Sequence, residues 1–171
     1  MKKVSLFLIT FILILTSCSS DDNKENISAD IVGTWIGNSI DYSGKTETTV
    51  QGQTLVTDFV GEGYDMDYTL TFNETPNIIT SEGSYSLKLT YSVLGQTSVQ
   101  NLENLKFLEE GTWILDGNKL DVTANGVSKD YEIIELTETT LKISLSTEED
   151  LSESGSTIIT TIDAIVTFTR S

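Results

Sequence analysis

The chain has no histidine, one cysteine (Cys18) and one proline (Pro76) among its 171 residues. Without imidazole, and with a single thiol, it cannot assemble the Cys/His sites that hold zinc, iron or copper. An intrachain disulfide is excluded, and so are Ser-His-Asp and Cys-His nucleophile systems. Carboxylates, tyrosines, hydroxyls and lysines are the groups left for chemistry. Basic residues are also scarce: ten Lys and Arg face 26 Asp and Glu, for a net charge of −16. That balance argues against nucleic acid, whose phosphates demand cations, and against docking on anionic headgroups. It favours solubility and mutual repulsion. No apolar run reaches the roughly twenty residues of a bilayer-spanning helix.

The longest apolar run lies at the head of the chain. Lys2 and Lys3 precede Val4–Leu15, which is broken only by Ser5 and Thr10, and Thr16-Ser17-Cys18 follows. A basic head, a short apolar segment and small residues read as a secretory signal. Residues 1–17 are therefore expected to be a lipoprotein signal peptide, with Cys18 as the lipid-attachment site. Cleavage there would leave 154 residues with eight Lys and Arg against 26 acids, a charge of −18. That length suits one domain with a real core. Residues 18–30 open with Ser19-Ser20-Asp21-Asp22-Asn23-Lys24-Glu25-Asn26. They are too polar to bury anything and read as the lipidated cysteine followed by a flexible acidic tether. Ser19, rather than an aspartate that would suggest inner-membrane retention, follows the cysteine. The expected location is the outer membrane, lipid-anchored and exposed at the cell surface.

Residues 31–171 read as β nearly throughout, rich in Thr, Val, Ile, Tyr and Phe with glycine at the breaks. Met66, Tyr68, Leu70 and Phe72 alternate with Asp67, Thr69 and Thr71. Tyr85, Leu87, Leu89, Tyr91 and Val93 alternate with Ser84, Ser86, Lys88, Thr90 and Ser92. Leu141, Ile143 and Leu145 share a face, as do Ile158, Thr160, Ile162, Ala164, Val166, Phe168 and Arg170. A period of two with one wet face means antiparallel sheet packed on one side. Asp116-Gly117-Asn118 and Asn125-Gly126 supply the positive φ of tight hairpins. Asn73–Asn77 reads as a longer turn, Glu148–Gly155 as an acidic loop, and Asn101–Glu110 as the one stretch able to form a helical turn. Eight to ten strands joined by short turns close best into an up-and-down antiparallel barrel, with a two-sheet sandwich as the alternative.

Three sets of residues are candidates for a site. Tyr68, Phe72, Tyr85, Leu87, Leu89 and Tyr91 face inward; they either line an apolar ligand cavity or simply fill the barrel. Glu62, Asp65 and Asp67, in a glycine-rich stretch, offer hard oxygens for Ca²⁺, although their spacing is not that of an EF-hand loop. Some carboxylate pair at glycosidase spacing is inevitable among 26 acids, so no enzyme is read from it. No cofactor is expected.

Ile31-Val32-Gly33-Thr34-Trp35, then Gly111–Thr123, Tyr131–Ile143 and Val166–Arg170, occur in an order that resembles the lipocalin-like domains of Bacteroidota lipoproteins. Ser19-Ser20-Asp21-Asp22 is similar to the acidic signal that sends such lipoproteins outward. The resemblance implies a lipocalin- or calycin-like barrel in which Trp35 opens the first strand and Arg170 packs across it, a structural pair. It also implies a non-enzymatic binding protein holding a small hydrophobic or amphipathic ligand. The alternative is a surface interaction or structural lipoprotein with a filled barrel. No second lipocalin motif and no C-terminal helix accompany these pieces.

Overall fold

A computed structural model describes residues 26–171. The expected signal peptide, Cys18 and the tether up to residue 25 lie outside the described residues. Ten strands follow in order: β1 (Asn26–Ile27), β2 (Gly33–Val50), β3 (Gln53–Asn73), β4 (Ile78–Val93), β5 (Gln96–Leu105), β6 (Gly111–Asp116), β7 (Lys119–Ala124), β8 (Val127–Leu136), β9 (Thr140–Asp150) and β10 (Ser156–Arg170). The spatial order β8-β7-β6-β4-β3-β2-β10-β9, with β9 returning to β8, closes one antiparallel sheet on itself. It is a barrel of eight strands rather than a sandwich. β5 stands outside the ring as a hairpin partner of β4.

Hairpin chemistry sets the order. Asn125 and Gly126 both have positive φ (52° and 78°), as do Gln51-Gly52 and Leu94-Gly95, and Gly117 sits at 62°. These two-residue turns match the right-handed strand twist and bring sequence neighbours side by side. β4 touches β6 only through Ile78–Thr112 and Ile79–Gly111, because β5 takes the rest of its edge.

Four strands are far longer than the barrel needs: β2 has 18 residues, β3 has 21, β4 has 16 and β10 has 15. Strands usually run 3–10 residues. The surplus continues past the ring as a twisted blade ordered β5-β4-β3-β2-β10-β9. The β8–β9 ladder ends at Glu132–Ser144, so β9 from Leu145 onward pairs only with β10, and β8 up to Tyr131 only with β7. The barrel is thus closed at the end that holds Trp35 and flared at the other. β9 remains paired to Asp150, so the acidic loop is shorter than the sequence reading of Glu148–Gly155.

The inward faces follow the alternation. Leu70, Ile79, Leu120, Ile133, Leu136, Leu141, Ile143, Val166 and Phe168 are fully buried. Each such side chain contributes about 1.5–3 kcal/mol relative to exposure. Inward glycines make room for larger neighbours. A Cβ on Gly63 would lie 2.2 Å from Ile40 Cγ2, and one on Gly44 would meet the Phe59 ring at 2.5 Å.

Candidate functional site

The closed end is locked by Arg170. Its guanidinium carbon lies 4.2 Å from the ring centroid of Trp35. Nε donates to the carbonyl of Glu138 (2.9 Å), Nη1 to that of Val32 (2.9 Å) and Nη2 to that of Asp30. The indole Nε1 donates to Ile31 O at 2.8 Å. β1 runs parallel to β8 at Glu135–Leu136, and Ser28 N donates to Leu136 O. Residues 26–30, the end of the expected tether, are therefore strapped under the barrel.

Above this floor the interior is filled. Tyr68, Phe72, Tyr85, Leu87 and Leu89 are buried, and Tyr91 is half-buried beside Phe59, ring centroids 6.0 Å apart. Phe72 meets Trp113 edge-on at 5.8 Å, and Tyr68 contacts Tyr85 and Phe168 at 6.0 and 6.2 Å. The stretch expected to form a helical turn forms none. β5 runs to Leu105, and residues 106–110 then drop Phe107 and Leu108 into the barrel. The Tyr68 hydroxyl donates to Leu108 O (2.7 Å) and accepts from Leu108 N (2.9 Å). One phenol thus satisfies both backbone groups of the plug. The sequence offers little sign of this, since the plug is a non-local partner of Tyr68 forty residues away.

Two open pockets lie at the flared end, the first of them over the plug. One, of about 290 Å³, is lined by Lys106, Phe107, Val122, Val127, Lys129 and Tyr131, among others. Another, of about 390 Å³, sits where β8 and β9 part and is lined by Tyr42, Lys129, Leu145 and Ile162, with Asp130 and Glu149 at its rim. Lys129 lines both. It stands on the inward side of β8 opposite Val122, while Lys45 and Lys142 are engaged by Glu47 and Glu135. The Tyr42 and Tyr85 hydroxyls are 2.8 Å apart beneath the second pocket. Burial raises the Tyr42, Tyr68 and Tyr85 hydroxyls above their ordinary value and pushes Tyr131 up to about 12. All four are neutral hydrogen-bonding groups at ordinary pH.

Five of the six residues singled out for a cavity therefore form the core beneath the pockets, Tyr91 stands half-buried on the blade, and the lining residues Phe107, Lys129 and Tyr131 were not singled out. Glu62, Asp65 and Asp67 are not brought together on a flexible turn. They lie within β3, with Glu62 opposite Lys88, Asp65 in a bulge at φ 50°, and Asp67 opposite Ser84. Among the described residues, no group of three or more His, Cys, Asp or Glu side chains is placed to hold a metal ion.

An apolar floor, neutral phenols and the ammoniums of Lys106 and Lys129, with the Glu109 carboxylate beside them, can bind by burial and orient by charge. The searches of curated proteins and of solved structures return no match. A family model described as a lipocalin-like domain matches residues 31–143. That span runs from the Ile31 carbonyl that receives Trp35, through the plug, to the middle of β9. With two thirds of its length matched and its eight-stranded ring closed, this chain belongs to the lipocalin-like domain family.

Proposed function

We propose that the chain is an outer-membrane lipoprotein of the Bacteroidota type, anchored through lipid on Cys18, whose barrel mouth binds a small anionic amphipath. The observation that carries the binding reading is the pocket of about 290 Å³ over the plug, where apolar Phe107, Val122 and Val127 meet Lys106 and Lys129, two cations against the one carboxylate of Glu109. Its size is at the lower edge of small-molecule sites, which run from about 300 to 1,000 Å³. The ligand is therefore short, with its apolar part on Phe107 and its acidic group at Lys129. Binding is non-catalytic. The anchor reading rests on the head of the sequence and on residues 26–30, which bring the chain in at the end opposite the mouth.

A medium-chain fluorescent fatty acid tests the binding. Saturable binding that weakens about tenfold in Lys129→Glu supports it, on the scale of one lost charge contact. Absence of saturation, or equal affinity in Lys129→Glu, refutes it. Metabolic labelling with palmitate tests the anchor: label must enter the chain and be lost in Cys18→Ala.

The filled interior favours a second reading, a surface interaction lipoprotein that carries no ligand. It predicts no saturable binding with the fold intact.

A further inference from the structure

The two edges of the blade are built differently. On the β9 edge, the stretch that pairs only with β10, Leu145–Asp150, carries Glu148, Glu149 and Asp150, three charges in six residues. Charge is a common way to blunt an open edge against pairing. The β5 edge has little such charge, and its bulge, at Asn104 (φ 58°), bends only the end beyond Leu102. Its ten residues, Gln-Thr-Ser-Val-Gln-Asn-Leu-Glu-Asn-Leu, hold one charge, Glu103, and no proline or lysine. Residues 96–101 are all exposed, Val99 at 57 %. In a chain with 26 acids this is an unusually neutral strip.

The backbone of that strip is also ready to pair. β5 pairs with β4 alone, beginning at the hairpin-flanking pair Val93–Gln96. Antiparallel ladders alternate, so the N–H and C=O groups of Thr97, Val99 and Asn101 point away from β4.

We infer that β5 is a dimerisation edge on which a second copy of this chain adds its own β5 in antiparallel register. Charge selects this occupant and this edge. Two chains of net charge −16 repel each other over most of their surfaces, and at the β9 edge three carboxylates would meet three more. At β5 a neutral strip meets a neutral strip. With Val99 on the twofold axis, Val99 faces its own counterpart and Thr97 faces Asn101, so every outward donor and acceptor of the three residues finds a partner. Glu103 lies at the bulge beyond the paired segment, which keeps the two carboxylates apart. A twofold contact of this kind is closed and stops at two copies. The result is one continuous sheet joining two blades, with both mouths left open.

Sedimentation equilibrium of the full chain in density-matched detergent tests this. The expected mass is that of two chains, and Val99→Lys, which sets like charges directly opposite each other, weakens the dimer about tenfold or more with the β circular dichroism unchanged. A covalent test stands beside it in case that variant misfolds. Paired strand positions lie within disulfide reach, about 4.4–6.8 Å between Cα atoms. Val99→Cys, with Cys18 retained in all samples, is expected to give an oxidised dimer well above the background of the parent and of Glu149→Cys. A parent chain that sediments singly overturns the inference, as does Val99→Cys cross-linking no better than Glu149→Cys. A strand from a different protein on this edge would give the first of those results. Fatty-acid binding at the mouth is read separately, so either conclusion can fail without the other.

Discussion

Arg170 lays its guanidinium 4.2 Å from the ring centroid of Trp35 while donating to the carbonyls of Asp30, Val32 and Glu138. One side chain from the last strand thus joins the first long strand, the incoming chain and the β8–β9 turn. It closes the barrel floor chiefly through fork geometry, with charge secondary. Lysine cannot reproduce that fork.

Arg170→Lys is therefore expected to lose most of what Arg170→Ala loses. Each variant should be destabilised by about 2 kcal/mol, the scale of charged hydrogen bonds and a cation–π contact at a partly exposed site. Urea unfolding measures both. Arg170→Lys at wild-type stability would show that charge alone suffices.

Tyr68→Phe removes the hydroxyl that serves both Leu108 N and Leu108 O. The two backbone groups are then left unpaired in the core, at a cost of about 1–3 kcal/mol each. Unfolding free energy should fall by about 3 kcal/mol. Hydrogen exchange of the Leu108 amide should accelerate more than that of core amides in β10, because the plug loosens first.

Alkali should unfold the protein cooperatively. Burial raises the folded values of Tyr42, Tyr68 and Tyr85 and takes Tyr131 to about 12, against about 10 in an unfolded chain. Between those values the native state holds protons that the unfolded state has released. Stability is fully present below about pH 10 and falls above it, by up to about 1.4 kcal/mol per pH unit for each such tyrosine. Tyrosinate absorbance and circular dichroism recorded together check this. Tyrosinate from these four residues should appear with unfolding; complete titration of all tyrosines in a native barrel would contradict it.

Asp121 and Asp130 face each other across the β7–β8 ladder. The hydrogen bond to Asp130 raises the Asp121 carboxyl above its ordinary value. The native state therefore holds a proton more readily than the unfolded one, and the pair loses stability as pH rises through the carboxylate range. Asp130→Asn should raise the melting temperature at neutral pH and leave it nearly unchanged in acid, where the Asp121 carboxyl is protonated. A gain of the same size at both pH values would rule out like-charge repulsion as the cause.

Alternation alone was enough to place the strands and their inward faces, and the β8–β9 pairing decided for a barrel over a sandwich. Tyr68, Leu70 and Phe72, or Ala164, Val166 and Phe168, can bury one face only as antiparallel strands, because side chains repeat every second residue and turns such as Asn125-Gly126 leave no room for a crossover. The pairing of Trp35 with Arg170 was implied by the resemblance to lipocalin-like domains, and the alternation agreed with it by putting Arg170 on the same face as Phe168. Three features were beyond local pattern. Whether the inward tyrosines line a void or fill it depended on Phe107 and Leu108, which reach Tyr68 and Tyr131 only after the ring has closed. Glu62, Asp65 and Asp67 are near in sequence, but a strand bearing a bulge spreads them instead of gathering them. The bareness of the β5 edge depended on β4 having one partner too many, which moves β5 out of the ring. Periodicity reports which face of a strand is apolar; which strand ends at an edge, and what sits in the barrel above the floor, follow from contacts between distant residues that only the closed sheet brings within reach.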